Sequence, residues 1–195
     1  MTAVVAHEHP QMTIEEYLKL EEHARAKHQY VKGQMIPMPG GTLKHNRIAT
    51  NILFAIEMAI RHHSLPFLVS NSDTKIWIPK IEAFYYPDAV VICEVPEYYK
   101  NRKDVIVNPL LIIEVASPST QSRDQGRKFL DYATLPSLKE YVIVFQDQYS
   151  AQLSSRTDTE DWRLRSVEGI DQLIVLEAIG CSIAMRDVYD RTENL

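Results

Sequence analysis

The segment "LLIIEVASPST", residues 110–120, decides the fold because it combines the pattern of a buried strand with a charge. Six of its first seven residues are small or aliphatic, and the remaining one, Glu114, is a carboxylate. A continuous apolar run is typical of a strand that is covered on both faces. A charge in such a strand is costly unless it is paired, neutralised or bound to a ligand. Glu114 is therefore the first candidate functional residue.

The sequence around this strand predicts an order of helix, hairpin, helix, three strands, helix and further strands. Thr13 and Glu16 form a capping box for a helix over 14–27, and apolar residues spaced by three and four predict a second helix over 43–63. A third helix is expected between Ser122 and Pro136. The predicted hairpin covers 28–41, and the predicted strands cover 67–79, 85–95, 109–117, 139–146, 149–155, 162–167 and 172–178. This order predicts an α/β fold with a central mixed β-sheet flanked by helices and extra C-terminal strands.

Length and composition limit the classes of protein that are possible. A chain of 195 residues with 45% hydrophobic and 24% charged residues indicates one domain, over 12–195, with residues 1–11 as a flexible N-terminal tail. No run of eighteen apolar residues occurs, so we expect a cytoplasmic protein without a membrane partner. The net charge of -5 argues against a protein that coats nucleic acid through a general positive field. Cys93 and Cys181 indicate neither a disulfide framework nor a zinc site.

A second carboxylate lies in a setting comparable to that of Glu114. Asp88 follows Pro87 at the start of the apolar run "AVVIC". If the two strands are antiparallel neighbours, the start of one lies beside the end of the other, and the two carboxylates meet. Two carboxylates in a partly dry site repel each other unless a cation lies between them. Mg²⁺, or Mn²⁺ in its place, is the expected cofactor because Mg²⁺ accepts one or two carboxylates and keeps several waters.

A cation is expected on the helix that follows. Asp124, Lys128 and Tyr132 are spaced by four residues and therefore share one helix face. A helix that leaves the end of the Glu114 strand can direct this face back towards Glu114. Lys128 would then supply positive charge beside a metal-bound hydroxide or a reacting phosphate.

These segments together resemble a known family. "YPDAVVI", "LIIEVASPST" and "RDQGRKFLDYATLPSLKEYVIV" are similar to the Uma family of proposed restriction endonucleases, a branch of the PD-(D/E)XK nuclease superfamily with the restriction-endonuclease-like fold. The resemblance runs from about Met12 to Val175. It implies a metal-dependent DNA endonuclease in which Asp88, Glu114 and the backbone carbonyl of Val115 hold the metal. Ala116 stands where the superfamily has its lysine, and the resemblance implies that Lys128 takes that role.

The resemblance also implies supporting residues and leaves alternatives open. His45, Ser117 and Tyr132 are family-like, whereas Gln29 stands where family members usually have glutamate, which puts activity in question. A nuclease-fold module that binds nucleic acid or protein without catalysis is one alternative, and a metal-free hydrolase using the two carboxylates as acid and base is another. A homodimer is expected because nucleases of this size commonly grip DNA with two subunits. The structural alternatives are a turn role for Asp88, a partly exposed edge position or a buried ion pair with Lys128 for Glu114, an i, i+4 pair of Lys128 with Asp124, and hydrogen-bonded packing for His45.

Overall fold

The computed structural model describes residues 11–117 and 124–195, without the side chains of residues 124 and 125. Four α-helices lie in these ranges, and a π-helical turn, Asp124–Lys128, leads directly into the third. The predicted tail and the start of the predicted third helix fall mainly outside the described residues. The helices are α1 (Ile14–Glu21), α2 (Leu43–His62), α3 (Phe129–Tyr132) and α4 (Met185–Val188), with 3₁₀ turns at Pro79–Ile81 and Glu177–Ile179.

The described part of the chain contains fourteen strands in three sheets. The central sheet has the strand order β12-β11-β10-β9-β6-β3, the second sheet has the order β2-β1-β5-β4-β8-β7, and β13 pairs with β14. The strands are β1 (His28–Val31), β2 (Gln34–Pro37), β3 (Phe67–Asn71), β4 (Lys75–Ile78), β5 (Ala83–Tyr85), β6 (Ala89–Cys93), β7 (Tyr98–Tyr99), β8 (Arg102–Ile106), β9 (Pro109–Ala116), β10 (Glu140–Phe145), β11 (Ser150–Arg156), β12 (Trp162–Glu168), β13 (Leu173–Leu176) and β14 (Cys181–Ala184).

The central sheet is mixed, as the sequence predicts. β9 pairs with β10 in parallel, whereas the other pairs in this sheet are antiparallel. A parallel pair needs a long crossover connection, and the chain between β9 and β10 contains the helical segment that ends at α3. β9 lies inside the sheet between β10 and β6, and all eight of its residues are buried.

Apolar side chains pack on both faces of the central sheet. Ile48, Ile52, Ile56 and Ile60 give α2 one buried stripe, which packs on one face together with the β13–β14 hairpin and α4. The opposite face packs against the second sheet and the end of α3. The far side of the second sheet contacts α1. This layering explains why β9 reads as a continuous apolar run and why a charge within it needs partners.

The second sheet was not predicted, and two predicted strands proved wrong in extent. The segment 67–79 divides into β3 and β4, which belong to different sheets, because Asn71 makes an Asx turn: its side-chain oxygen accepts the Asp73 N–H at 3.1 Å. The segment 85–95 likewise divides, since β5 ends before Pro87, which lacks a backbone donor, and β6 starts in the central sheet.

Two predicted helices are also shorter than expected. The helix predicted over 14–27 ends at Glu21, because the Glu21 carboxylate accepts the His28 N–H at 2.8 Å and the chain turns into β1. The predicted third helix ends at Tyr132, four residues before Pro136, and its described part begins as a π-helical turn. Within the described ranges, no helix combines the length and hydropathy that a membrane-crossing segment needs.

Candidate active site

The antiparallel pairing of β6 with β9 positions the two carboxylates. Ala89 lies opposite Ile113, and Val90 lies opposite Ile112. Extending this register by one residue places Asp88 opposite Glu114. Side chains alternate along a strand, so both carboxylates belong to the face that packs against the second sheet and α3. The predicted meeting of these two strand ends is therefore confirmed.

Two partners hold the Asp88 carboxylate. The backbone N–H of Val115 donates to Oδ2 at 2.7 Å, and the His45 ring nitrogen Nε2 lies 3.0 Å from Oδ1. His45 is in the first turn of α2, where the Thr42 side chain caps the helix by accepting the His45 N–H at 3.1 Å. Asp88 is therefore fixed to both the neighbouring strand and the start of α2, and His45 lines the same cavity.

Glu114 meets Lys128 in a buried ion pair. Lys128 Nζ lies 2.7 Å from Glu114 Oε1, and both residues are 4% exposed. The Tyr132 hydroxyl approaches the same oxygen at 3.5 Å. Burial and the Glu114 charge raise the pKa of Tyr132 well above its ordinary value, so its hydroxyl stays protonated. The shared face predicted for Lys128 and Tyr132 is confirmed, whereas the Asp124 side chain lies outside the described residues.

The lysine reaches Glu114 from the helical turn and not from the strand. Ala116 lies on the same strand face as Glu114, two residues on, and is 1% exposed within the apolar core. A π-helical turn is an uncommon element that often occurs at functional sites. Here it ends at Lys128.

A second buried network anchors this turn, and sequence reasoning missed it. Asp131 is 4% exposed; its carboxylate accepts the Tyr85 hydroxyl at 2.7 Å and contacts Arg127 Nε at 3.1 Å. The Lys128 ammonium lies 6.0 Å from the centre of the Tyr85 ring. Tyr85 therefore links the second sheet to the helix that carries Lys128. The Arg127–Asp131 spacing of four residues was the available sequence signal.

Asp88, Glu114 and Lys128 line one cavity of about 260 Å³. The cavity is lined by residues 37–42 and by Gln29, His45, Tyr86, Asp88, Glu114, Val115, Ser117, Lys128 and Gln146. The structure therefore brings together every predicted site residue whose side chain it describes, apart from Tyr132, which lies behind Glu114. Tyr86, which sequence reasoning missed, donates its hydroxyl to Glu21 at 2.8 Å.

The donor set fits a hard divalent cation. Two carboxylates and a backbone carbonyl are oxygen ligands, which Mg²⁺ prefers, with water completing its shell. In the described ranges, no group of three or more His, Cys, Asp or Glu could hold a metal ion. A cation bound here would therefore depend on Asp88, Glu114, main-chain oxygen and water. Such an all-oxygen set suits Mg²⁺ better than it suits zinc, which favours nitrogen and sulfur ligands.

Comparisons with known proteins agree with this architecture. The Uma2 family, described as "Putative restriction endonuclease", matches residues 14–186. Two uncharacterised proteins of Synechocystis are related: sll1609 is 34% identical over 158 residues (81% of this chain and 88% of the relative), and slr1290 is 35% identical over 182 residues (92% of each). A crystal structure from Anabaena variabilis, described as a putative nuclease belonging to DUF820, covers 93% of this chain and 99% of its own, with a TM-score of 0.74 and 15% identity. The fold is therefore the restriction-endonuclease-like one, and the chain belongs to the Uma2 family.

Proposed function

We propose that this protein is a Mg²⁺-dependent endonuclease that hydrolyses phosphodiester bonds in DNA, with Mn²⁺ as an alternative cofactor. The observation that carries the proposal is the convergence of Asp88, Glu114 and Lys128 on one cavity. Membership of a family described as restriction endonucleases supports the same reaction class. The two carboxylates lie at adjacent strand ends, and the cation that pairs with one of them comes from a separate element.

Asp88, Glu114 and the carbonyl of Val115 are the proposed metal ligands. A bound Mg²⁺ would lower the pKa of a water molecule and offset negative charge on the phosphate. Asp88 is already oriented by Val115 and His45, so its carboxylate needs little rearrangement to act as a ligand. His45 is proposed as a positioning residue, because it contacts Asp88 directly.

Lys128 is proposed to stabilise charge that develops on the phosphate. Its ammonium lies in a buried setting, where a fixed positive charge interacts more strongly than it would in water. Glu114 holds this ammonium at the cavity wall. Tyr132 keeps a neutral hydroxyl beside the pair and therefore adds no competing negative charge.

DNA is the proposed substrate, and a homodimer is the proposed assembly. A cavity of about 260 Å³ admits a phosphodiester and its waters but not a duplex, so the duplex would lie across its opening. One such site cleaves one strand at a time. Two subunits related by a two-fold axis would present two sites to the two antiparallel strands.

The test is plasmid cleavage with Mg²⁺ or Mn²⁺, compared among the parent, Asp88→Ala, Glu114→Ala and the exposed-loop control Asp158→Ala. We expect the parent and the control to cleave, the two site variants to be inactive, and a chelator to abolish cleavage. Cleavage that survives both Asp88→Ala and Glu114→Ala would contradict the site assignment. Cleavage that persists in the chelator would instead favour metal-free hydrolysis, with the two carboxylates acting as general acid and base.

A second candidate is a nuclease-fold module that binds nucleic acid or protein without cleaving. It is favoured by Gln29, which contributes an amide and not a carboxylate to the cavity, and by the net charge of -5. Titration with Mn²⁺ separates the candidates. A competent site binds the ion in the parent and loses it in Asp88→Ala, whereas a parent that binds no ion supports the non-catalytic module.

A further inference from the structure

The side chain of Gln29 is an unexplained polar group in the cavity wall. Gln29 lies on β1, is 5% exposed and lines the cavity beside the two carboxylates. Its amide nitrogen Nε2 has no hydrogen-bond partner among the described residues. Leaving a buried amide donor unpaired lowers the stability of the folded protein. Such a group in a native structure calls for an explanation, for example a ligand or a catalytic role.

The neighbouring groups do not use this donor. Asp88 is held by Val115 and His45, and Glu114 is held by Lys128 with Tyr132 at longer range. The amide nitrogen of Gln29 therefore takes no part in these hydrogen bonds of the two carboxylates. Rotation of the carboxamide by 180° exchanges its nitrogen and oxygen, so the NH₂ group can face either the wall or the cavity.

The charge of the cavity indicates what an amide donor would bind. Two carboxylates line the cavity and repel a phosphate, and Lys128 is already engaged with one of them. An amide donates a hydrogen bond without adding negative charge, and it keeps this property at any pH. An acceptor that enters the cavity can therefore pair with Gln29 without adding to the repulsion from the carboxylates.

We infer that Gln29 binds a non-bridging oxygen of the phosphodiester through its amide NH₂ group. This inference rests on the proposed function and names a substrate contact for the same site. It assigns Gln29 to the substrate and not to the metal. Because Nε2 has no hydrogen-bond partner among the described residues, its NH₂ group is available to an acceptor that enters the cavity.

The test compares Gln29→Met, which keeps the side-chain length but removes the donor, with Gln29→Glu and with Gln34→Met. Gln34 is an exposed residue of the paired strand β2 and provides the matched control. Binding of a short fluorescein-labelled DNA duplex is measured in Ca²⁺ by fluorescence anisotropy. Mn²⁺ affinity is measured without DNA, and thermal unfolding is followed for each protein.

We expect Gln29→Met to weaken duplex binding about tenfold, which is the loss of one hydrogen bond to a charged group. Its Mn²⁺ affinity should be unchanged, and its melting temperature should be equal to or higher than that of the parent because an unpaired buried donor has been removed. Gln29→Glu should weaken duplex binding further, since a carboxylate repels the phosphate. Gln34→Met should match the parent in all three measurements.

Other outcomes overturn the inference in distinguishable ways. If Gln29→Met loses Mn²⁺ affinity, then Gln29 is a metal ligand. If the parent binds and cleaves DNA and Gln29→Met does both equally well, the inference fails and the proposed function stands. If the parent binds Mn²⁺ but no duplex, the proposed function and the inference fail together.

Discussion

Two buried glutamates on neighbouring strands have different surroundings. Glu114, near the end of β9, is 4% exposed and faces the cavity, where Lys128 neutralises it. Glu140, at the start of β10, is 0% exposed; it accepts the Ser155 hydroxyl at 2.9 Å and the Ala178 N–H at 3.1 Å, with Arg165 3.5 Å away. Glu114 contacts an ammonium and lines the cavity. Glu140 is held mainly by neutral hydrogen-bond donors and does not line that cavity.

Burial alone therefore does not distinguish the two carboxylates. Burial raises the pKa of Glu140 above its ordinary value of 4.5, and its hydrogen bonds only partly oppose this effect. Glu140 connects β10 to β11 and to the 3₁₀ turn after β13, so these hydrogen bonds join structural elements to one another. Lys128 and Tyr132, which contact Glu114, lie on helical elements outside the sheet, and Lys128 lines the cavity.

The largest expected effect is on cleavage. Glu114→Gln should lower the rate of DNA cleavage at least about 100-fold, because it removes the charge that is proposed to bind the metal and that holds Lys128. Glu140→Gln should leave the rate within about twofold of the parent, since Glu140 does not line the cavity. Plasmid nicking at saturating Mg²⁺ measures both. Equal losses of cleavage rate in the two variants would contradict a special role for Glu114 in cleavage.

The next effect concerns stability. Lys128→Met should lower the free energy of unfolding by about 3 kcal/mol or more, because it removes the ammonium that lies 2.7 Å from the buried Glu114 carboxylate. The double variant Glu114→Gln/Lys128→Met should recover most of this loss. Urea denaturation at neutral pH gives the values. A loss below about 1 kcal/mol in Lys128→Met would mean that water reaches Glu114 freely and that the pair behaves like a surface ion pair.

A smaller effect is expected in the pH dependence of stability. A raised pKa means that folded Glu140 holds its proton more tightly than the unfolded chain does, so its contribution to stability is present below about pH 4.5 and is lost as the pH rises through the raised pKa. Glu140→Gln should therefore become more stable relative to the parent as the pH rises from 4.5 towards neutral. Denaturation at several pH values measures the difference, with the exposed Glu168→Gln as the control; a constant difference would contradict it.

The smallest effect is expected for Tyr132→Phe. The Tyr132 hydroxyl approaches Glu114 at 3.5 Å, which is long for a hydrogen bond, whereas its ring is fully buried and would be kept. The loss in unfolding free energy should be about 1 kcal/mol or less, and cleavage should fall only a few-fold. A loss as large as that of Lys128→Met would show that the hydroxyl is an essential partner of Glu114.

The elements that the sequence predicts well have patterns that do not depend on distant contacts. β9 shows the unbroken apolar run of a strand covered on both faces, and α2 shows one stripe of isoleucines. The second sheet was missed because its strands β4, β5, β7 and β8 have only two to five residues. Their pairing, which includes a parallel contact between β4 and β8, is decided by tertiary packing.

The candidate site likewise contains residues that local sequence patterns predict and contacts that they do not. Asp88, Glu114 and Lys128 could be grouped from sequence because a strand start, a strand end and a helix face have predictable positions. The contact between Tyr85 and Asp131 joins residues on different elements 46 positions apart, and no local pattern indicates it. The π-helical turn could not be predicted either, because its hydrogen bonds differ from those of the α-helix by one residue and the apolar spacing does not distinguish the two.

The hydrogen bond from the Val115 N–H to Asp88 has a consequence for the entropy of ligand binding. A free aspartate loses rotational freedom when it takes hold of an ion, and this loss weakens binding. Asp88 has lost that freedom already, because the same bond that aligns the ends of β6 and β9 fixes its χ angles when the sheet forms. Folding therefore prepares one of the two proposed ligands, and the selectivity of the site for ions of different size should reflect the rigidity of the sheet.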